Sequence, residues 1–203
     1  SNNTATGVTR SSIVRRTVQI DHDEAVFYHA KNKLHQFARE DSAPFFLNAS
    51  FIHPHEPYCT LQEYWDLYRH ENIELPNTPL QPESEREFHT TRMLYHAMLV
   101  DTGISEEHVR IARHAYLGNV SYFDEMVGGL MKTLEQTGLL ANTVVVISAD
   151  HGDMLGEHGL WYKKHFFEDC IRVPLIIHWP ERFSAGRHSQ PTSLLDLLPT
   201  FCD

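Results

Sequence analysis

The chain has 203 residues, of which 41% are hydrophobic and 22% are charged, and its 27 acidic and 17 basic residues give a formal net charge of −10. This composition excludes an intrinsically disordered chain, a collagen-like repeat and a strongly basic nucleic-acid-binding protein. The length suffices for one domain, or a large part of one, with a buried core. The 15 histidines are the unusual feature, because histidine is both the commonest metal ligand and a proton carrier near neutral pH.

The first half of the chain is predicted to contain one helix and one short strand. Residues 23–40 place apolar side chains at helical spacing with charged residues between them, which predicts an amphipathic helix. The apolar run 44–51 has the length of a strand, and the histidine- and proline-rich residues 53–58 after it are predicted to form a loop. The proline-rich stretch 71–87 is predicted to be a surface excursion.

The second half alternates helical and strand patterns. Ser105, followed by two glutamates, predicts the start of a long helix, and Gly138 predicts its end. The β-branched and apolar runs 143–149 and 173–178 predict strands that are covered on both faces. The apolar stretch 194–201 predicts the beginning of another helix. This order is typical of an α/β layered domain.

A polar segment begins where the first of these buried strands is predicted to stop. Asp150 and His151 open it, and ligands of open α/β sheets bind outside the carboxyl ends of strands. A carboxylate oxygen and an imidazole nitrogen side by side can hold a divalent cation. The alternative, a polar strand-end loop without a ligand, stays open on these two residues alone.

Three longer motifs resemble the type I sulfatases of the alkaline-phosphatase superfamily, and most of all the choline-sulfatase branch. They are DHGDMLGEHGLWYK at 150–163 with FFE at 166–168 and RVPL at 172–175, then FIHPHEPY at 51–58 with EYWDLY at 63–68, and SLLDLLPT at 193–200. They stand in the order expected for that family. The resemblance implies an alkaline-phosphatase-like α/β sandwich, with a mostly parallel central sheet flanked by helices, present here as a partial domain.

The resemblance also implies roles for five residues. Asp150 and His151 match residues that complete a divalent metal site, for which Ca²⁺ is expected and Mg²⁺ or Mn²⁺ stays open. Lys163 matches a lysine that contacts the oxygens of the sulfate ester, and His55 matches a histidine that hydrogen-bonds the sulfate or the leaving group. Both are therefore predicted to be catalytic as well as substrate-binding. His53 is the weaker substrate-binding candidate beside His55.

One expected part of a sulfatase is missing from the sequence. The family uses a formylglycine made from the first residue of a Cys/Ser-x-Pro-x-Arg motif, and none of Cys59, Cys170 and Cys202 starts such a motif. Two further metal-binding aspartates expected from the family's first strand are also absent. Residues 1–203 are therefore predicted to be the central part of a single sulfatase catalytic domain. The nucleophile segment and the C-terminal region are expected to lie outside it.

The predicted function follows from these points. The chain is expected to be a fragment of a choline-sulfatase-like hydrolase that cleaves small-molecule sulfate esters, and to be inactive alone. The alternatives are a phosphonate or phosphate monoester hydrolase of the same superfamily, and a non-catalytic remnant. A nucleic-acid partner and a membrane span are not expected, a homo-oligomer of the intact protein stays open, and the unpaired cysteines and the branch resemblance suggest the cytoplasm.

Trp65 and Tyr68 allow two interpretations. They are predicted to be core-packing residues, and the alternative is an aromatic cage for a quaternary ammonium group.

Overall fold

The structure, a computed structural model, describes residues 4–40, 43–100 and 102–202. The ends of the predicted domain range, residues 1–3 and 203, thus lie outside the described residues. The helices are α1 Ala5–Thr9, α2 Val18–Glu40, α3 Gln62–Trp65, α4 Phe88–His96, α5 Glu106–Gln136, α6 Glu168–Ile171 and α7 Leu197–Cys202. The strands are β1 Ser12–Val14, β2 Cys59–Leu61, β3 Val145–Ser148 and β4 Leu175–His178. Short 3₁₀ turns occupy His70–Asn72, Glu83–Glu85, Leu140–Asn142, Glu157–Gly159 and Leu194–Asp196.

The long helix α5 is the central element, and its predicted limits are confirmed. The hydroxyl of Ser105 accepts a hydrogen bond from the backbone N–H of His108 at 3.2 Å, so it caps the first turn. At the other end Gly138 has a φ of 74°, a left-handed conformation that suits glycine and stops the helix. Helices α1, α2 and α3 and strands β1 and β2 all contact α5.

The main core lies between α5 and the loops around it. Its most deeply buried side chains include Tyr58, Leu94, Ala112, Ala115, Met154 and Leu160. Two of these, Tyr58 and Met154, come from the loops that carry the candidate motifs, so burial of the core also fixes those loops. Among the described residues, no helix is both long and apolar enough to cross a bilayer.

The strands form two separate pairs within the described residues. β1 and β2 are parallel, with Ser12 opposite Cys59, and α2 provides the crossover between them. β3 and β4 are antiparallel, with Val145 opposite His178. The expected mostly parallel arrangement therefore does not hold for β3 and β4. The segment between them carries a 3₁₀ turn and the short helix α6, which do not bring the chain back to the start of β3 as a parallel crossover requires.

Two further local predictions are wrong. Residues 44–51 contain no strand. Phe45 instead stacks on Phe37 of α2, with ring centroids 4.5 Å apart, and buries part of its apolar surface there. The strands β3 and β4 are not covered on both faces in this chain: Ile176 and Ile177 are 54% and 44% exposed. The predicted helix at 194–201 is present as a 3₁₀ turn that continues into α7.

Candidate active site

Two loops carry the predicted site residues. We call residues 51–58 the His-Pro loop and residues 149–165 the strand-end loop. The His-Pro loop is held by Asp23, a fully buried residue of α2, whose carboxylate accepts hydrogen bonds from the backbone N–H of Ile52 at 2.7 Å and of His53 at 3.1 Å. The His53 Nδ1 lies 2.7 Å from the same carboxylate. Burial raises the pKa of Asp23, but these hydrogen bonds outweigh it and the pKa is lowered.

His55 lies at the half-exposed edge of the His-Pro loop, above a buried carboxylate. Its Nδ1 is 2.9 Å from the carbonyl oxygen of Glu56 and 3.0 Å from the Glu56 Oε2. Both of these atoms only accept hydrogen bonds, so Nδ1 carries a hydrogen and donates it. The side chain of Gln19 on α2 donates to the Glu56 carbonyl at 2.8 Å and fixes the backbone here.

Lys163 approaches the other nitrogen of the same imidazole. The distance from Lys163 Nζ to His55 Nε2 is 2.5 Å, and 108 positions separate the two residues in the chain. An ammonium group only donates, so Nε2 is the acceptor in this contact. The hydrogen bond to Glu56 raises the pKa of His55, while burial and the nearby charge of Lys163 act in the opposite direction.

A second buried carboxylate joins the two loops. Asp153 accepts hydrogen bonds from the backbone N–H groups of Leu155 and Tyr162, each at 3.0 Å, and from the Tyr58 hydroxyl at 2.8 Å. Burial raises the pKa of Asp153 and, together with the charge of that carboxylate, raises the pKa of Tyr58 well above its usual value. Asp153 therefore shapes the strand-end loop and ties it to the His-Pro loop.

Asp150 and His151 open the strand-end loop directly beyond β3. The Asp150 side chain is 88% exposed, and one of its carboxylate oxygens lies 3.5 Å from the His151 Nε2. The His151 Nδ1 donates to the carbonyl oxygen of Gly152 at 2.8 Å, because a carbonyl can only accept. The Nε2 lone pair therefore points away from the backbone, next to a carboxylate oxygen. Metal-ligating histidines commonly donate their other ring N–H to a carbonyl oxygen in this way, which fixes the orientation of the ring.

These two donors fit part of a divalent metal shell. Within residues 4–40, 43–100 and 102–202, no group of three or more His, Cys, Asp or Glu side chains is arranged to hold a metal ion. A complete shell around Asp150 and His151 would thus need ligands beyond those side chains.

The structure brings some of the predicted residues together and separates others. Lys163 and His55 are in contact, and Asp150 and His151 lie at the start of the loop that also carries Lys163. His53 is only 4% exposed and its ring is held by Asp23, behind the loop surface.

The aromatic residues of α3 and the turn after it pack on α5. The Trp65 ring stacks on His114 with centroids 3.5 Å apart, and the Tyr68 hydroxyl is 2.7 Å from the Ser121 hydroxyl. These contacts support the core-packing interpretation over an aromatic cage.

Sequence reasoning missed three carboxylates that organise the site. Glu56 and Asp153 lie inside the two motifs. Glu56 is adjacent to His55, and Asp153 is two positions after His151, so the motifs themselves indicate both carboxylates. Asp23 lies in the second turn of α2, 30 residues from its partner His53, and nothing local distinguishes it from a surface residue.

The family relationship was tested by comparison with known proteins. A family model described as "Sulfatase" matches residues 4–203. The chain belongs to the sulfatase family. Proteins of this family generally use a divalent metal and a formylglycine, and they act on small-molecule sulfate esters.

Individual relatives agree with this membership. The choline-sulfatase of Rhizobium meliloti (strain 1021) is 40% identical over 200 residues, which are 97% of this chain and 39% of that protein. The arylsulfatase of Clostridium perfringens (strain 13 / Type A) is 31% identical over 170 residues, 81% of this chain and 34% of that protein. The sulfatase-family chain described here thus spans less than half the length of these relatives.

Solved structures support the fold. The phosphonate monoester hydrolase of Agrobacterium radiobacter matches 75% of this chain and 32% of its own, with a TM-score of 0.62 and 22% identity. The protein YidJ from Bacteroides fragilis matches 79% of this chain and 31% of its own, with a TM-score of 0.57 and 24% identity. The predicted alkaline-phosphatase-like α/β fold, present as a partial domain, is confirmed.

Proposed function

We propose that this chain supplies the sulfate-binding groups and part of the metal site of a sulfuric ester hydrolase. One observation carries the proposal: Lys163 and His55, from motifs far apart in the chain, meet at 2.5 Å on the accessible side of the two loops. A cation and an imidazole at one point suit a small dianionic or monoanionic ester group, because both present N–H donors to its oxygens.

Lys163 and His55 would contact different oxygens of the ester group. The Lys163 ammonium binds the non-bridging oxygens and stabilises the negative charge that develops as the ester bond breaks. His55 presents Nε2 to the leaving oxygen, while its Nδ1 stays on Glu56. His53 orders the loop behind them through Asp23 and contributes to substrate binding by holding His55 in place.

Asp150 and His151 would provide one oxygen and one nitrogen ligand to a divalent cation. We propose Ca²⁺, with Mg²⁺ and Mn²⁺ as the alternatives to be separated by titration. When bound, the ion supplies positive charge that polarises the ester oxygens. The formylglycine segment, whose hydrated aldehyde attacks sulfur in the family, is not in this sequence, so the 203-residue chain alone is expected to be inactive.

The substrate class we propose is a small alkyl sulfate, with choline-O-sulfate as the first candidate. The support is the 40% identity with the Rhizobium choline-sulfatase over nearly the whole chain. A phosphonate or phosphate monoester is the second candidate, because a phosphonate monoester hydrolase shares the fold and the same cation and imidazole would suit a phosphoryl group. A non-catalytic remnant is disfavoured, since His55, Lys163 and their supporting carboxylates are retained in an ordered arrangement.

A paired assay tests this proposal. The intact protein, with its formylglycine verified by mass spectrometry, is assayed with choline-O-sulfate, 4-nitrophenyl sulfate and a phenylphosphonate ester. We expect the highest kcat/KM with a sulfate ester. A kcat/KM at least about tenfold higher with the phosphonate ester would establish the second candidate instead, and no turnover of any ester would support the remnant.

A further inference from the structure

Glu56 is buried without the partners that other buried carboxylates of this fold have. It is 2% exposed, its Oε2 faces the His55 Nδ1 at 3.0 Å, and its buried Oε1 has no hydrogen-bond partner among residues 4–40, 43–100 and 102–202. By contrast, Asp23 and Asp153 each accept three hydrogen bonds. A buried acceptor left unpaired costs about 1–3 kcal/mol, so folding alone gives no reason for a carboxylate at this position.

Titratable or polar groups from the strand-end loop, the His-Pro loop and α2 surround Glu56. From the strand-end loop, Lys163 faces it with a positive charge, while Asp153 and the hydroxyl of Tyr162 face it from the same loop. Within the His-Pro loop its neighbours are His55 and Tyr58, and from α2 the uncharged Gln19 holds its backbone carbonyl. Its carboxylate is therefore a buried negative charge beneath the Lys163 ammonium and an imidazole that can take up a second proton.

We propose that Glu56 is a positioning residue that holds the Nδ1 hydrogen of His55 and thereby lets the Nε2 of His55 deliver a proton to the leaving oxygen. This role rests on the proposed sulfatase function. Glu56 itself does not touch the ester. It acts by fixing the orientation of the ring and by stabilising the positive charge that the ring carries when both nitrogens are protonated.

The proton balance is as follows. Without substrate, Lys163 donates to the Nε2 of His55. An anionic ester at this point accepts the Lys163 donors instead, and Nε2 takes up a proton from solvent. As the nucleophile bonds to sulfur and the ester S–O bond breaks, the leaving oxygen keeps the electron pair and takes the Nε2 proton. His55 then returns to the neutral form, with its Nδ1 hydrogen still on Glu56.

The pKa of His55 is raised, which is the direction that the contact with Glu56 predicts. The hydrogen bond to Glu56 raises the pKa of His55, and His55 with Lys163 lowers the pKa of Glu56 against the effect of burial. A proton donor must be protonated, so activity that depends on it is lost as the pH rises through the pKa of His55. Removing the Glu56 charge should move that loss to lower pH.

The experiment compares wild-type intact protein with Glu56→Gln and Glu56→Asp. The pKa of His55 is measured from deuterium exchange at the imidazole C2, read by mass spectrometry, alongside kcat and KM for two sulfate esters. We expect a pKa of His55 above 6.5 in the wild type. We expect a decrease of about 1 unit in Glu56→Gln, with the alkaline limb of kcat/KM moving by the same amount, and a smaller shift in Glu56→Asp.

The two esters separate proton donation from a structural role. Choline-O-sulfate has a poor leaving group that needs a proton, whereas 4-nitrophenyl sulfate does not. Glu56→Gln should lower kcat about 10–100-fold for the first and only about twofold for the second, with little change in KM. Glu125→Gln is the matched control, because it makes the same change at a carboxylate of α5 that accepts a hydrogen bond from the Tyr64 hydroxyl outside both loops, and it should leave the pKa of His55 unchanged.

Each result decides the proposal. Equal losses of kcat for both esters in Glu56→Gln, or an unchanged pKa of His55 in that variant, would overturn the role of Glu56 while the sulfatase function stands. If Glu56→Gln does not fold, a wild-type pKa of His55 at or below 6.5 overturns the role and a higher one supports it. A folded wild type that hydrolyses neither sulfate ester overturns the proposed function, and with it this role.

Discussion

Lys163 and His55 are 108 positions apart in the chain, yet Nζ of one lies 2.5 Å from Nε2 of the other. The backbone around Lys163 is unusual, because Tyr162 and Lys164 have φ values of 68° and 78°. Bulky residues adopt this left-handed region only when their surroundings hold them there. Asp153, which binds the Tyr162 N–H, supplies part of that constraint. The fold thus stores local strain where it places the candidate cation.

Replacing this cation should remove activity selectively. In the intact protein, Lys163→Met should lower kcat for a sulfate ester about 10²–10³-fold, because the charge developing on the ester oxygens loses its stabilising group. Lys164→Met is the matched control, since Lys164 is the next residue and is exposed. Its kcat should stay within about twofold of wild type. Steady-state kinetics on both variants check this, and equal losses would show that Lys163 has no special role.

The metal assignment gives a second prediction. Asp150→Ala combined with His151→Ala should lower the Ca²⁺ affinity of the intact protein by at least about 100-fold, because an oxygen and a nitrogen ligand are lost together. Isothermal titration calorimetry measures it, with Mg²⁺ and Mn²⁺ titrated in parallel. Asp124→Ala, an exposed carboxylate on α5, is the control and should not change the affinity. Unchanged divalent affinity in the double variant would refute the assignment.

Gly152 gives a third prediction, because the backbone of α6 lies against it. A Cβ at this position would lie 2.0 Å from the carbonyl oxygen of Asp169, and the Gly152 N–H donates to the Cys170 carbonyl at 2.7 Å. Gly152→Ala should destabilise the protein by about 2–4 kcal/mol and weaken divalent binding by displacing His151. Urea unfolding and calorimetry measure the two effects.

The matched control for that substitution is Gly128→Ala in α5, where an added Cβ would meet no described atom outside the local helix backbone within 4 Å. It should stabilise the protein by about 0.5–1 kcal/mol, because alanine loses less conformational freedom than glycine in a helix. A Gly152→Ala variant as stable as wild type would contradict the close packing described for the strand-end loop.

The free energy of unfolding should fall in mild acid because of His165. This side chain is buried, and its Nδ1 has no hydrogen-bond partner in the part of the chain that the structure describes. Burial together with the charges of His89 and His158 lowers its pKa to about 4. The unfolded chain binds that proton near pH 6.5, so stability decreases as the pH falls from about 6.5 towards about 4. His165 lowers the free energy of unfolding by at most about 3 kcal/mol over this pH range.

Urea unfolding at pH 7.0, 6.0 and 5.0 measures this dependence. His165→Leu should flatten it, whereas His22→Leu on the exposed face of α2 should leave it as in wild type. The lowered pKa of His114, caused mainly by burial, acts with the same sign and accounts for a residual slope. A slope that is the same in wild type and His165→Leu would show that His165 is not the group responsible.

Local signals explain which parts of the fold could be predicted. The cap at Ser105 and the stop at Gly138 are properties of a few neighbouring residues, and the structure has both. The β-branched runs placed β3 and β4 correctly within two residues at each predicted start. Their antiparallel pairing could not be read locally, because it depends on how the intervening loop returns the chain.

The motifs predict candidate site residues, whose roles stay predictions, but they do not predict the side chains that support them. The motifs identified His55 and Lys163, and the structure brings them into contact. The burial of Glu56 beneath His55 depends on packing from the strand-end loop and α2, which no sequence window contains. The strand wrongly predicted at 44–51 also reflects packing, since Phe45 stacks on Phe37 near the C-terminal end of α2.

A crystal structure of the intact protein with sulfate bound tests the proposed roles of Lys163 and His55 most directly. We predict that the Lys163 Nζ and the His55 Nε2 each lie within about 3.2 Å of oxygens of the same sulfate, with the Glu56 carboxylate still bound to the His55 Nδ1. Sulfate bound at another position, with Lys163 and His55 still hydrogen-bonded to each other, would contradict it.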